Sequence, residues 1–360
     1  MSWALKPFGD IASLKNGKSI KPGLSGEFPV YGANGIIGGA NEWVYESSLI
    51  LGRVGAYCGA VELCEGRFWP SDNTIVVQAV EDSVTLKFLY YLLKHADLNR
   101  YAGGAAQPLL TQSRLKPIEF LLPPLAVQSQ IAAILSAYDD LIENNTRRIE
   151  ILEEMARRLY EEWFVQFRFP GHEGVGLKES ELGLIPEGWE LLRLGDCMEL
   201  AYGKALKAQD RVPGDYPVYG SSGVVGSHCE SLVEGPGIVV GRKGNVGSVF
   251  WSDVSFFPID TTYYVRSEVP FSYVYFNLQR QRFLNNDAAV PGLNREQAYA
   301  LPFLLPDQDV LSRFSSEWER IYGLLRRLER INVNLRAQRD LLLPKLISGE
   351  IDVSDIPMPT

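Results

Sequence analysis

No apolar run in the 360 residues approaches the ~18 needed to cross a membrane as a helix. The opening MSWALKPFGD has neither the basic nor the apolar region of a secretory signal. Cysteine is scarce: Cys58, Cys64, Cys197 and Cys229 form no CxxC pair, which argues against a zinc ribbon or a disulfide framework. The three histidines, His95, His172 and His228, lie far apart, with no acid or nucleophile placed to work with them. Asn16-Gly17-Lys18-Ser19 matches the end of a P-loop pattern, but Ala12 stands where the earlier glycine is required. No GxGxxG opens a helix after a strand, and no (Asp/Asn)-Pro-Pro-(Tyr/Phe) is present. These absences leave no catalytic constellation, no metal and no cofactor of the chain's own. A cytoplasmic binding protein without membrane contact is the reading that remains.

Positive charge is also in short supply, with 35 basic against 44 acidic residues and a net charge of −9. That balance disfavours a general nucleic-acid binder. The distribution is uneven, however. Residues 1–130 balance 11 basic against 11 acidic groups, while residues 164–313 carry 13 against 18. A DNA-binding face would have to be a local basic patch.

What the chain does have is two long heptad patterns. Steps of four and three from Ile131 pick out Leu135, Tyr138, Ile142, Asn145, Ile149, Leu152, Ala156, Leu159 and Trp163. The same alternation from Phe314 picks out Trp318, Ile321, Leu325, Leu328, Asn332, Leu335, Arg339, Leu342 and Leu346. Such seams predict two coiled-coil helices, each ~50 Å long at 1.5 Å per residue. Packed antiparallel with their centres matched, they place Asn145 opposite Asn332, the only amides in either seam. A buried Asn pair fixes register. Residues 131–163 carry 8 acidic and 4 basic groups, and residues 314–346 carry 4 acidic and 7 basic, so the helices favour each other over themselves. Arg339 is the awkward seam residue, expected to face Tyr138 in a cation–π contact.

The two helices follow two copies of one unit. Trp3 and Gly9-Asp10 match Trp189 and Gly195-Asp196; Gly17-Lys18 matches Gly203-Lys204. FPVYGANGIIG at 28–38 matches YPVYGSSGVVG at 216–226, and FWPSDNT at 68–74 matches FFPIDTT at 256–262. Ala105, Ala106 and Pro108 match Ala288, Ala289 and Pro291. Each copy reads as glycine-punctuated strands, a short helix, a variable loop and the long helix. The Gly-, Pro- and Glu-rich stretch at 169–189 between the copies reads as an ordered linker.

Basic residues that recur in both copies are the binding candidates. Lys18 and Lys21 correspond to Lys204 and Lys207, and Arg53 to Arg242, all beside glycine turns where backbone and side chain can both approach a phosphate. A solvated turn lysine is the ordinary alternative. Where the copies differ, their loops could read different bases. Ala33-Asn34 stands against Ser221-Ser222, and Val54-Gly55-Ala56-Tyr57 against Lys243-Gly244-Asn245-Val246. Residues 107–113 stand against 290–296.

Three passages then carry a resemblance: LLPPLAVQSQIAAIL at 121–135, EEWFVQFRFPG leading to SELGLIPEGW at 161–189, and LLLPKLISGEIDV at 341–353. With them the chain closely resembles the DNA-specificity subunit of type I restriction-modification systems over nearly its whole length. The resemblance implies an α+β chain with two repeated α/β target-recognition domains separated by two helices in an antiparallel coiled coil. The expected boundaries are 1–122 for the first domain and 123–168 for the central helix. They continue with 169–305 for linker plus second domain, 306–350 for the distal helix and 351–360 for the tail. It further implies a non-catalytic subunit that reads a bipartite double-stranded DNA site. The helices dock two methyltransferase subunits that carry S-adenosylmethionine, and restriction subunits join them. The chain is fairly short and acidic for this family, so tight DNA binding is expected only in the assembly. A fused restriction-methylation enzyme would use the same architecture, and a β-rich adhesin with coils is the rival from another class.

Overall fold

A computed structural model describes residues 3–23, 25–80, 82–104, 107–283, 292–354 and 356. The first copy contains strands β1 (Ala4–Pro7), β2 (Ala12–Asn16), β3 (Phe28–Gly32), β4 (Gly35–Ala40), β5 (Tyr45–Gly52), β6 (Val61–Pro70), β7 (Thr74–Ala79) and β8 (Glu119–Leu122). Its helices are α1 (Phe8–Ile11), α2 (Leu86–His95) and α3 (Gln112–Leu115), and the long helix α4 (Leu125–Phe164) follows. A hairpin of β9 (Leu177–Ser180) and β10 (Gly183–Pro186) precedes the second copy. That copy has β11 (Glu190–Arg193), β12 (Glu199–Tyr202), β13 (Tyr216–Gly220), β14 (Gly223–His228), β15 (Gly237–Gly241), β16 (Val249–Ser252), β17 (Phe257–Pro258), β18 (Thr262–Arg266) and β19 (Pro302–Leu305). Its helices are α5 (Leu194–Cys197), α6 (Phe271–Arg280) and α7 (Arg295–Tyr299), before the second long helix α8 (Gln308–Ile347). None of the helices among the described residues is long and apolar enough to cross a membrane.

The chain divides into two compact units, Met1–Thr146 with Glu329–Thr360, and Arg147–Leu328. The division falls within both long helices, so each unit combines one copy of the repeat with part of α4 and part of α8.

In the first unit a six-stranded sheet runs β2-β7-β5-β6-β3-β4. Its central strands are continuous apolar runs such as Leu49, Ile50 and Leu51, as expected where both faces are covered. Strand β3 meets β6 in parallel, Val30 beside Trp69, and the other pairings are antiparallel. Thr85 caps α2 by accepting from the Phe88 N–H, and Lys94 and His95 in its last turn complement the helix dipole. That helix buries Phe88, Leu89 and Leu92 against the sheet. Strands β1 and β8 close the copy, from Ala4 opposite Leu122 to Pro7 opposite Glu119. Ile131 and Leu135 of α4 and Leu346 of α8 enter the same core.

The second unit repeats this order with one break. Its sheets run β12-β18-β15-β16 and β14-β13-β17, so the single β6 of the first copy becomes β16 and β17. The turn at Asp253-Val254, where the Ser252 hydroxyl donates to the Val254 carbonyl at 2.9 Å, interrupts the strand. The same bulge recurs in both copies, between Val30 and Tyr31 and between Val218 and Tyr219. The expected linker at 169–189 is more than a connection. It folds into the β9–β10 hairpin, and Phe169, Ile185 and Trp189 sit in the core of the second unit, because three large apolar side chains gain more by burial than a solvated linker could offer.

Every seam position of both heptad patterns is buried or half-buried. In the first unit Asn145 Nδ2 donates to Asn332 Oδ1 at 3.0 Å, and Asn332 Nδ2 reaches the Ile142 carbonyl and Thr146 hydroxyl at 3.3 Å. The antiparallel register expected from the sequence is therefore present. Arg339 departs from expectation. It bonds Asp139 at 2.5 Å and its neighbour Asp340 at 2.8 Å rather than stacking on Tyr138, since a carboxylate one position along offers a full opposite charge. In the second unit Tyr160, Trp163 and Phe164 of α4 close around Phe314 of α8.

Candidate nucleic-acid interface

Both copies fold the same set of loops onto the end of the sheet. In the first, the Gly17 N–H donates to the Thr74 carbonyl (3.0 Å) and the Lys18 N–H to the Pro70 carbonyl (2.9 Å). The Arg53 N–H donates to Asn73, and the Leu110 N–H to Arg53, each at 2.9 Å. In the second, Gly203 bonds Thr262 (3.1 Å), Lys204 bonds Pro258 (3.0 Å), Arg242 bonds Thr261 (2.9 Å) and Leu293 bonds Arg242 (2.8 Å). The recurring Gly-Lys thus has a packing cause. A Cβ on Gly17 would lie 1.9 Å from the Ser71 carbonyl oxygen, and one on Gly203 would lie 2.1 Å from that of Ile259. Only glycine lets these backbones approach so closely.

The frame carries most of the candidates predicted from sequence. Lys18, Asn34, Lys204 and Ser222 are exposed upon it, and Ser221, Arg53, Arg242 and Lys243 are half-buried. Arg53 and Arg242 hold the loop that follows the Pro in both copies: Arg53 Nη1 reaches the Asp72 carbonyl at 3.5 Å, and Arg242 Nη1 the Asp260 carbonyl at 2.9 Å. Part of each guanidinium is thereby committed to positioning. Asn245 is exposed, and its carbonyl accepts from the Ser248 hydroxyl, which also donates to the Ser221 carbonyl at 2.7 Å. Lys21 stands in a separate hollow lined by Ser25, Gly39, Asn41, Glu42 and Trp69. Lys207 is exposed at the start of a single helical turn, Ala208–Asp210, and among the described residues nothing ties it to the frame. Of the repeat-matched positions, Ala105, Ala106, Ala288, Ala289 and Pro291 lie outside the described residues, as does Val290 in the variable loop.

Four side chains on the frame were not among the named binding candidates, although Gln112 and Arg295 fall within the differing loops 107–113 and 290–296. Asn16 ends β2, and its terminal amide meets that of Gln112, the first residue of α3, at 3.1 Å. In the amide orientation that satisfies both ends, Gln112 also donates to the Leu14 carbonyl (3.1 Å) and accepts from the Asn16 N–H (3.3 Å). The same places in the second copy hold Tyr202, which ends β12, and Arg295, which opens α7. The Arg295 guanidinium lies 5.1 Å over the Tyr202 ring, and that of Arg242 lies 4.9 Å from it. Burial pushes the neighbouring Tyr263 phenol up to about 12, helped by the Tyr202 hydroxyl and opposed by the Arg242 cation. The signal for these four was their matched place in the repeat, within or beside the loops that differ between copies.

Two loop ends of one backbone design, each carrying its own polar and basic side chains, make this a duplicated fold with two matched candidate surfaces. The family model described as the type I restriction modification DNA specificity domain matches residues 2–154 and 186–314. The chain belongs to that family. It is 26% identical over 309 residues to the type I restriction enzyme MjaIX specificity subunit of Methanocaldococcus jannaschii, covering 77% of this chain and 71% of the relative. It is 30% identical over 160 residues to the EcoprrI specificity subunit of Escherichia coli, covering 42% of this chain and 40% of the relative. The crystal structure of the S subunit of a type I restriction-modification system from M. genitalium superposes with a TM-score of 0.66 at 19% identity, covering 96% of both chains. That likeness shows the fold.

Proposed function

We propose that the chain is the DNA-specificity subunit of a type I restriction-modification complex and itself catalyses no step. Each target-recognition domain, 1–122 and 169–305 with its linker, reads one half of a bipartite double-stranded site. The helices at 123–168 and 306–350 set the unread spacer and dock two methyltransferase subunits that supply S-adenosylmethionine. Restriction subunits complete the assembly.

The observation that carries this reading is the frame built twice from the same backbone hydrogen bonds and furnished with different side chains. Lys18 and Lys204 suit phosphate contacts that orient each domain, whereas Asn34, Ser221, Ser222, Lys243 and Asn245 suit base edges. Docking is supported by large apolar side chains exposed outside the seam: Leu141, Ile331 and Leu341 in the first unit, and Ile151, Met155 and Leu324 in the second. Co-production with the host's methyltransferase subunit, followed by single-molecule methylome sequencing, tests the reading. A motif of two short half-sites with an unread spacer is expected, and an unsplit motif or none would overturn it. Inserting one heptad into both helices should lengthen the spacer and leave both half-sites unchanged.

A further inference from the structure

We infer that the residue pair at the matched position of the two frames sets one base of each half-site, Asn16 with Gln112 selecting an adenine in the first domain and Arg295 with Tyr202 selecting a guanine in the second. The inference rests on the DNA-reading function above and goes on to name the reading side chains and the bases they take.

Around these two pairs the backbones are the same. The residue after Asn16 is Gly17, bonded to Thr74, and the residue after Tyr202 is Gly203, bonded to Thr262. The chain two residues before Gln112 bonds Arg53, and the chain two residues before Arg295 bonds Arg242. Within the frame the contacts that hold the backbone keep their chemistry in both copies, so side chains exchanged there on a fixed backbone mark a reading position. Gly17 and Gly203 keep theirs, as do Arg53 and Arg242; these two pairs do not.

The chemistry of each pair is self-consistent. Gln112 is committed to the edge of β2 through the Leu14 carbonyl and the Asn16 N–H. With the exposed Asn16 amide turned likewise, its nitrogen gives one N–H to the Gln112 oxygen and leaves one N–H and the oxygen, which match the N7 and N6 of adenine. In the second domain Tyr202 is 49% exposed and carries the flat Arg295 guanidinium on its ring. The Arg295 Nε–H is buried without an acceptor among the described residues, and no carboxylate there pairs with this side chain. Among the described residues its outer N–H groups have no acceptor either, and they match the O6 and N7 of guanine, the fork geometry that lysine lacks. The Arg242 guanidinium on the same ring adds positive charge beside the site.

The test uses the full chain co-produced with its methyltransferase subunit, with the methylome as readout. Tyr202→Asn combined with Arg295→Gln should replace guanine by adenine at one position of the second half-site and leave the first half-site unaltered. Asn16→Tyr combined with Gln112→Arg should do the reverse in the first. Arg295→Lys alone keeps the charge and the fold, and should lower discrimination at that one base pair by about 5- to 150-fold, the worth of a bidentate contact. A uniform loss of methylation at every site by Arg295→Lys, with base preference intact, would mean a phosphate or structural role and would overturn the inference. A split motif unchanged in all three variants would overturn it as well, leaving the function standing. A motif that is not split in the unaltered chain would overturn both.

Discussion

The two units share a backbone and both bury apolar helix residues against it, but they add different contacts to that core. In the first unit the addition is a polar chain. The Tyr91 hydroxyl donates to Asp139 at 2.7 Å, Asp139 pairs with Arg339, and Arg339 pairs with Asp340. Burial, then the bond to Asp139, raises the Tyr91 phenol well above its ordinary value, so it stays a donor at physiological pH. In the second unit the addition is aromatic. Trp251 of β16 meets Trp318 of α8 at 4.7 Å, Trp318 stacks on Tyr322 at 4.5 Å, and Phe164 meets Phe314 edge-on at 4.9 Å. A duplicated domain keeps what its loops need, namely the close-approach glycines and the backbone bonds. The contact with the helix is free to drift, because any sufficient burial or pairing serves.

The comparison breaks most visibly at Phe314, which is fully buried among rings. Phe314→Ala should destabilise the second unit by about 3–5 kcal/mol, read by calorimetry as a lowered transition for that unit with the other little changed. Gly17→Ala and Gly203→Ala sharpen the shared part of the comparison. Each should cost about 1–3 kcal/mol from forced backbone displacement, and a marked inequality between them would mean the frames are not equivalent. Asn145→Leu alone leaves the buried Asn332 Oδ1 without its donor and should cost about 1–3 kcal/mol. The double change with Asn332→Leu should raise thermal stability above that of the unaltered chain while loosening register. A lowered melting temperature for the double variant would contradict the role assigned to the pair. Smallest is Asp139→Asn, worth about 1 kcal/mol for a partly exposed pair, with an effect that shrinks as salt rises. Phe314→Ala should show no such salt dependence.

Much of this was legible along the chain. The heptad seams, the antiparallel match of Asn145 with Asn332 and the duplication all rest on periodicity or local identity, which survive without knowledge of the fold. The resemblance named the family on three short passages. Less legible was the split of β6 into β16 and β17, because VFWS and FFP read as strand wherever the turn at Asp253-Val254 is not recognised. The residues at 169–189 read as a linker because Gly, Pro and Glu outnumber the few apolar side chains that the core later claims. The binding candidates divide similarly: Lys18 and Lys204 sit on the frame, while Lys21 lines another hollow.

What the sequence determined by itself was the pattern of each element and the fact that one unit is written twice, since both are properties of neighbouring or repeated residues. Only the tertiary structure decided which side chains meet. Asn16 and Gln112 are brought to 3.1 Å across 96 positions of chain by the closing of one sheet. Arg339 turned from Tyr138 to Asp139 because helix packing placed a carboxylate within reach. Contacts of that range depend on the sum of every register and turn between them, and no local pattern carries that sum.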